Sequence, residues 1–188
     1  MSLAVDDNGR SLTVDVDQSS NGTSNAVYPL PTSSPGAVSI TRTADTNAYA
    51  AGDVIGTATG STAAIEFTNV GIAGRVTRIL SALMLINRTD IPSGMTNFTL
   101  HFYSVTPPSA LGDNAAWDLA TGDRASYLGH ITSSYAVDMG STLEVEFKEC
   151  NLDVQAAGTS IFAYLKTEGA FTPASATVKT IKLNTLVL

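Results

Sequence analysis

Cysteine is nearly absent from this chain of 188 residues, which holds one, Cys150. A single thiol forms no internal disulfide, so the fold must be held by its core, and the redox compartment is not legible. Placed after Lys148 and Glu149 at the end of a strand pattern, it reads as a half-buried bystander. Charge is also scarce, at 14% of residues, with 10 Lys and Arg against 17 Asp and Glu. The net charge of −7 and the scatter of the basic residues argue against binding a phosphate backbone, which needs clustered cations. So little charge among much Ala, Thr, Ser and Gly points to a surface largely occupied by other protein. No apolar run approaches the roughly 20 residues of a membrane-spanning helix. Met1 to Arg10 has neither the basic nor the apolar region of a secretory signal. The expectation is a protein made in the cytoplasm and kept there until it is assembled or released.

Catalytic motifs are missing as well. No G-x-S-x-G, H-E-x-x-H or phosphate-loop pattern occurs. The two histidines, His101 and His130, sit in mid-strand positions. With Cys150 they would make a metal site only by converging, which no tight ligand spacing supports, so surface or interface histidines are expected. Glu144 and Glu146 share a strand face about 7 Å apart, a separation that suits an inverting glycosidase. They lack the interleaved aromatics of a sugar cleft and read as a solvated face. Asp113, Asp118 and Asp123, with Asn114, could gather around calcium, but the calcium-loop pattern is absent and turn or cap roles fit them better. No catalytic, cofactor-binding or metal residue is expected, and the chain reads as a non-enzyme.

What the sequence does have is a central stretch from Arg75 to Asp90. As a strand it sends Ile79, Leu83 and Leu85 one way and Leu80, Met84 and Ile86 the other. Apolar character on both faces calls for cover on both sides and makes Leu83 and Leu85 core positions. The competing reading is a short buried helix, since Leu, Met and Ala favour one. Strand patterns flank it: Val38–Arg42, a short run after Gly52, and Ala64–Val70 with Ile65 and Phe67 inward. Asn97–Ser104 is the cleanest alternation, with Phe98, Leu100 and Phe102 opposed to Thr99, His101 and Tyr103. Further strands follow at Tyr127–Ile131, Thr142–Phe147, Ser160–Thr167 and Ala176–Leu188. Between them, in the long connection 105–126, Asp113 is placed to cap one helical turn from Ala116 to Leu119, with Trp117 packing down as a lid. Short strands at this spacing specify an all-β, antiparallel β-sandwich. About eight of them with long crossing links favour a jelly roll over an immunoglobulin-like fold.

Residues 1–37 are of another kind. They read as an extended N-terminal arm ahead of a sandwich domain at 38–188. Leu12, Val14 and Val16 alternate on one face, Asn8-Gly9 and Asn21-Gly22 mark turns, and Pro29, Pro31 and Pro35 interrupt any continuation. One reading is a disordered leader. The other is an arm that lays Val14, Val16, Val27, Tyr28 and Leu30 onto a neighbouring subunit. At the opposite terminus, Leu186-Val187-Leu188 should be paired within a sheet or seated in an interface.

Three stretches together suggest a family: Ala48 to Gly56, Phe98 to Tyr103, and Asp113-Asn114-Ala115-Ala116-Trp117 leading through Asp123 to Tyr127-Leu128-Gly129. In this combination the chain resembles virion structural proteins of tailed bacteriophages, in particular capsid decoration, or cement, proteins with a jelly-roll body. Val27 to Thr32 is similar to the short Val-rich pieces of phage head and tail proteins. The resemblance covers most of Val38 to Leu188 in order and character and supplies no catalytic residue. It implies a homotrimer on the capsid exterior that clamps the major capsid protein, using Trp117, Leu186, Leu188 and the arm as contact residues. It implies neither a nucleic-acid partner nor a membrane. The alternatives are a tail, baseplate or head-fibre adaptor of the virion, or a carbohydrate- or host-surface-binding module. For the last of these, Trp117, Tyr103 and Tyr127 are the candidate platform.

Overall fold

The structure is a computed structural model that describes residues 4–5, 11–12, 33–57 and 62–188. The chain divides into two units, Met1–Thr32 and Ser33–Leu188. In the first, β1 (Ala4–Val5) and β2 (Ser11–Leu12) form an antiparallel pair. Val14, Val16, Val27, Tyr28 and Leu30 lie outside the described residues.

The second unit is a sandwich of two antiparallel sheets. One contains, in order, β3 (Ser33–Thr41), β13 (Val178–Val187), β6 (Val76–Ile86), β10 (Leu143–Phe147) and β9 (Val137–Asp138), with β11 (Leu152–Gln155) also on β6. The other runs β4 (Val54–Ile55), β12 (Ile161–Thr167), β7 (Phe98–Tyr103) and β8 (Tyr127–Thr132), with β5 (Ile65–Phe67) also on β12. The central stretch is therefore a strand and not a helix. The first strand is longer than the pattern suggested and contains Pro35, opposite Asn184. Among the described residues β3 pairs only with β13 and stands at the sheet's edge, where a missing N–H is tolerated.

Alternating residues fill the space between the sheets. Phe98, Leu100 and Phe102 meet Met84, Ile86, Val145, Phe147, Ile181 and Leu183 in one cluster, all fully or nearly fully buried. At about 25 cal/mol per Å² of apolar surface, each such side chain contributes roughly 1.5–3 kcal/mol. A bulge decides which side of β6 faces that core. Ser81 pairs with Asn184 and Ile79 with Thr185, so Leu80 is the extra residue. Thr77 and Ile79 on one side of the bulge, and Ala82, Met84 and Ile86 on the other, all point inward. Leu83 and Leu85, expected in the core, stand on the outer face and are half-buried. Continuous alternation would have set Ile79 with them; the bulge reverses the parity.

A second bulge separates β7 and β8. Phe102 pairs with Gly129 and Tyr103 with Tyr127, which leaves Leu128 as the extra residue. Gly129 takes φ +123°, backbone that favours glycine. Three positions apart on a regular strand, Tyr127 and His130 would face opposite ways. The bulge turns both side chains onto the outer face, while Leu128 and Ile131 pack against the core.

Candidate functional site

The connection after β7 does not form the expected helical turn at Ala116–Leu119. Its one helical element is a 3-10 turn at Thr121–Asp123. The segment instead crosses the outer face of the second sheet and bonds to it along its length. Trp117 N–H donates to Gly52 C=O at 2.9 Å, Val54 N–H to Ala115 C=O at 2.8 Å, and Tyr164 Oη–H to Ser109 C=O at 2.7 Å. Leu111, Trp117 and Leu119 pack on Val54, Tyr103 and Tyr164. Thr99, His101 and Tyr103, on the second face of β7, are consequently buried.

Asp113 is not a cap. Its carboxylate is fully buried and accepts from Tyr49 Oη–H at 2.6 Å and Gly56 N–H at 2.8 Å. Arg42 donates from Nε to the same phenol at 2.8 Å, while its Nη atoms reach the carbonyls of Asp45 and Asn47 at 2.6 and 3.0 Å. Lys179 is buried beside this network, and its ammonium has no hydrogen-bond partner among the described residues. Burial pushes that amine down to about 8 against the pull of Asp113, and Arg42 lowers it further. Burial, then Asp113, raises the Tyr49 phenol. The cluster offers no opening for a substrate and acts as a polar plug.

A second cluster is open to water. His101 and His130 face each other across β7 and β8, with ring centroids 5.4 Å apart. His101, expected at the surface, is 4% exposed, whereas His130 is exposed. Tyr127 Oη stands between them, 3.1 Å from His101 Nδ1 and 3.2 Å from His130 Nδ1. The Trp117 indole stacks on the His101 ring at 3.7 Å and 17°, and Lys166 Nζ lies 5.4 Å from the indole centroid. Lys166 is paired with Glu168 at 3.0 Å, and Glu168 also accepts from Thr99. Burial pushes His101 down to about 3, with the charges of Lys166 and His130 adding to the effect, so its ring is neutral at neutral pH. Burial raises the Tyr103 phenol to about 12. Tyr103, Tyr127 and Trp117 do come together, but Tyr103 is wholly buried and Trp117 is half-buried between His101 and Lys166. They form a seal between the connection and the sheet.

Asp113 and Asp123 are buried in separate bonds, Asp123 holding Ser109, while Asp118 is exposed. They do not gather, and among the described residues no three His, Cys, Asp or Glu side chains form a metal-binding group. Glu144 and Glu146 flank Leu85 and Leu83 on the outer face, with Glu146 paired to Lys148. Leu186 is half-buried in the ladder opposite Arg78 and Ser33, and Leu188 N–H donates to Val76 C=O at 2.8 Å. The apolar C-terminus is thus paired within the sheet.

Pattern reading missed a group that includes the two most exposed large hydrophobic residues among the described ones, Tyr135 and Met139. Tyr135, Val137 and Met139 are 67%, 52% and 62% exposed, at alternate positions along β9 and its flanks. β9 pairs only with β10 among the described residues and ends its sheet. The signal was a period-two triplet, too short to stand out between Ser134 and Gly140. In comparisons with known proteins, no family model, no curated protein and no solved structure matches the chain.

Proposed function

We propose that this chain is a non-enzymatic decoration protein of a tailed-phage capsid, which binds the shell of major capsid protein as a homotrimer and stabilises it. The observation that carries the reading is the exposed set of Tyr135, Val137 and Met139 at β9, the terminal strand of a sheet, and its flanks. Native sheets usually blunt such edges with charge, proline or cover, so an apolar edge signals a partner. The resemblance noted in the sequence makes a coat subunit that partner. Strand order supports the jelly-roll body this reading needs. Within the second unit, with β4 and β5 counted as one strand, β10 and β11 as another, and the two-residue β9 set aside as an added edge strand, the first sheet runs first, eighth, third, sixth and the second runs second, seventh, fourth, fifth.

Attachment of this kind works by linkage: a protein that binds only the assembled shell raises the free energy of taking it apart. Several copies joined in a trimer would add avidity from modest individual contacts. The test is sedimentation of the chain with purified shells, wild type against the triple variant Tyr135→Ser, Val137→Thr, Met139→Ser. The variant should fold normally and lose attachment at least tenfold. Equal attachment removes the stripe from the proposal. Failure of the wild type to bind shells, with a few copies per virion instead of hundreds, moves the protein to a tail or baseplate position.

A further inference from the structure

The geometry points to a binding site for a zinc-class divalent ion formed by His101, His130 and Tyr127 on the outer face of β7 and β8. Zinc takes imidazole and oxygen donors at about 2.0–2.1 Å in a tetrahedron, whose edges are therefore about 3.3 Å long. Tyr127 Oη lies 3.1 Å from His101 Nδ1 and 3.2 Å from His130 Nδ1, so two of the three ligand–ligand edges are close to the required length. The arrangement is built by the fold: direct cross-strand pairing sets the two histidines together, and the bulge at Leu128 brings Tyr127 to the same face.

The chemistry of the donors agrees. One phenol carries one proton, so it cannot donate to both Nδ1 atoms, and at least one imidazole must donate to it. An ion held by all three replaces those shared protons with metal bonds. Zinc ligands bind in their deprotonated form, so uptake of the ion releases protons and is favoured as pH rises. The Lys166 charge nearby is offset by Glu168 at 3.0 Å. His130 is exposed, so water can reach the ion and complete its shell. Cys150 takes no part. It follows β10 in the other sheet, where its N–H donates to Leu80 C=O. This site is independent of the capsid reading.

The chain has only two histidines, so the untagged protein gives a clean test. Zinc chloride is titrated into the full chain by calorimetry at pH 7.5 and pH 6, with imidazole NMR resonances followed in parallel. The expected result is one ion per chain, weaker at pH 6, with both histidine rings shifted. His130→Ala, at an exposed position, should leave the fold intact and abolish binding. Tyr127→Phe should weaken binding by about tenfold or more, the range in which even outer-shell partners act. Cys150→Ser should bind as the wild type does. No heat and no imidazole shift at millimolar zinc would overturn the assignment and leave a hydrogen-bonded triad. Binding that survives His130→Ala would overturn it too.

Discussion

β6 and β7 occupy equivalent places, each inside its own sheet with strands on both sides, yet they are covered differently. All six residues of β7 are buried, because the connection 104–126 lies over its outer face. β6 buries its inward set and leaves Leu83 and Leu85 half-buried outside, between Lys182 and Thr180 of β13 and Glu146 and Glu144 of β10. The difference lies in the chain beyond each strand. β7 is followed by a long segment whose Leu111, Trp117 and Leu119 supply a third layer. β6 ends in the turns before Phe98 and receives no such cover among the described residues. Burial on the second face of a strand is thus set by what the connections do, and the strand's own residues only permit it.

The sharpest way to break this comparison is to put a charge on each side of β6. Met84 is wholly buried, so Met84→Asp should prevent folding, as an unpaired buried carboxylate costs several kcal/mol. Leu83→Asp should fold, losing about 1–2 kcal/mol in a urea titration, since the side chain is only half-buried and stands between Lys182 and Glu146, whose charges act on it in opposite senses. Equal damage from both would mean that the outer face of β6 is covered after all.

An effect smaller than that of Met84→Asp is expected on the other strand's cover. Trp117→Ala should cost about 2–3 kcal/mol, below the usual 3–5 for a fully buried aromatic because the indole is half-buried. Amide exchange should then speed up across 104–126 and at His101, with β6 unaffected. Uniform loss of protection throughout the sandwich would show that the third layer is not a separate unit.

These two strands also mark what pattern alone can reach. Alternation located the longer strands and the class of fold, because period two is a local property of the backbone, but it passed over the short β9 and β11. Ile65 and Phe67 were assigned inward for that reason, and they are; Phe98, Leu100 and Phe102 were assigned to one face, and that face is buried. The parity of β6 was lost at Leu80, since a bulge adds a residue with no mark in composition. His101 was misplaced because its cover comes from Trp117, sixteen positions on. The pairing of His101 with His130 was equally hidden: it depends on a cross-strand register that a connection of more than twenty residues separates in sequence. Trp117 was rightly expected to pack down, but as a stack on an imidazole and not from a helical turn.

Lys179 qualifies the description of β6's inner side as core, and its replacement is predicted to raise stability instead of lowering it. It pairs with Ile86 across β13 and β6 and shares that residue's burial, at 1% exposure. Its amine is pushed down to about 8 from an ordinary 10.5, chiefly by desolvation. Below pH 8 the folded protein must hold this charge with no hydrogen-bond partner among the described residues, so Lys179→Met should stabilise it by about 1–3 kcal/mol at pH 7. The sign of the pH dependence follows from proton counts. Between about 8 and 10.5 the unfolded lysine keeps a proton that the folded one has lost, so wild-type stability gains with pH from this group. The advantage of Lys179→Met should accordingly shrink from pH 8 to pH 10, at no more than about 1.4 kcal/mol per unit. Tyr49 and Tyr103 also titrate high when buried, but they are common to both proteins and largely cancel in the difference. Denaturant midpoints of the two proteins across that range measure it directly, and a gap that stays constant would mean that Lys179 keeps its proton by pairing with the carboxylate of Asp113.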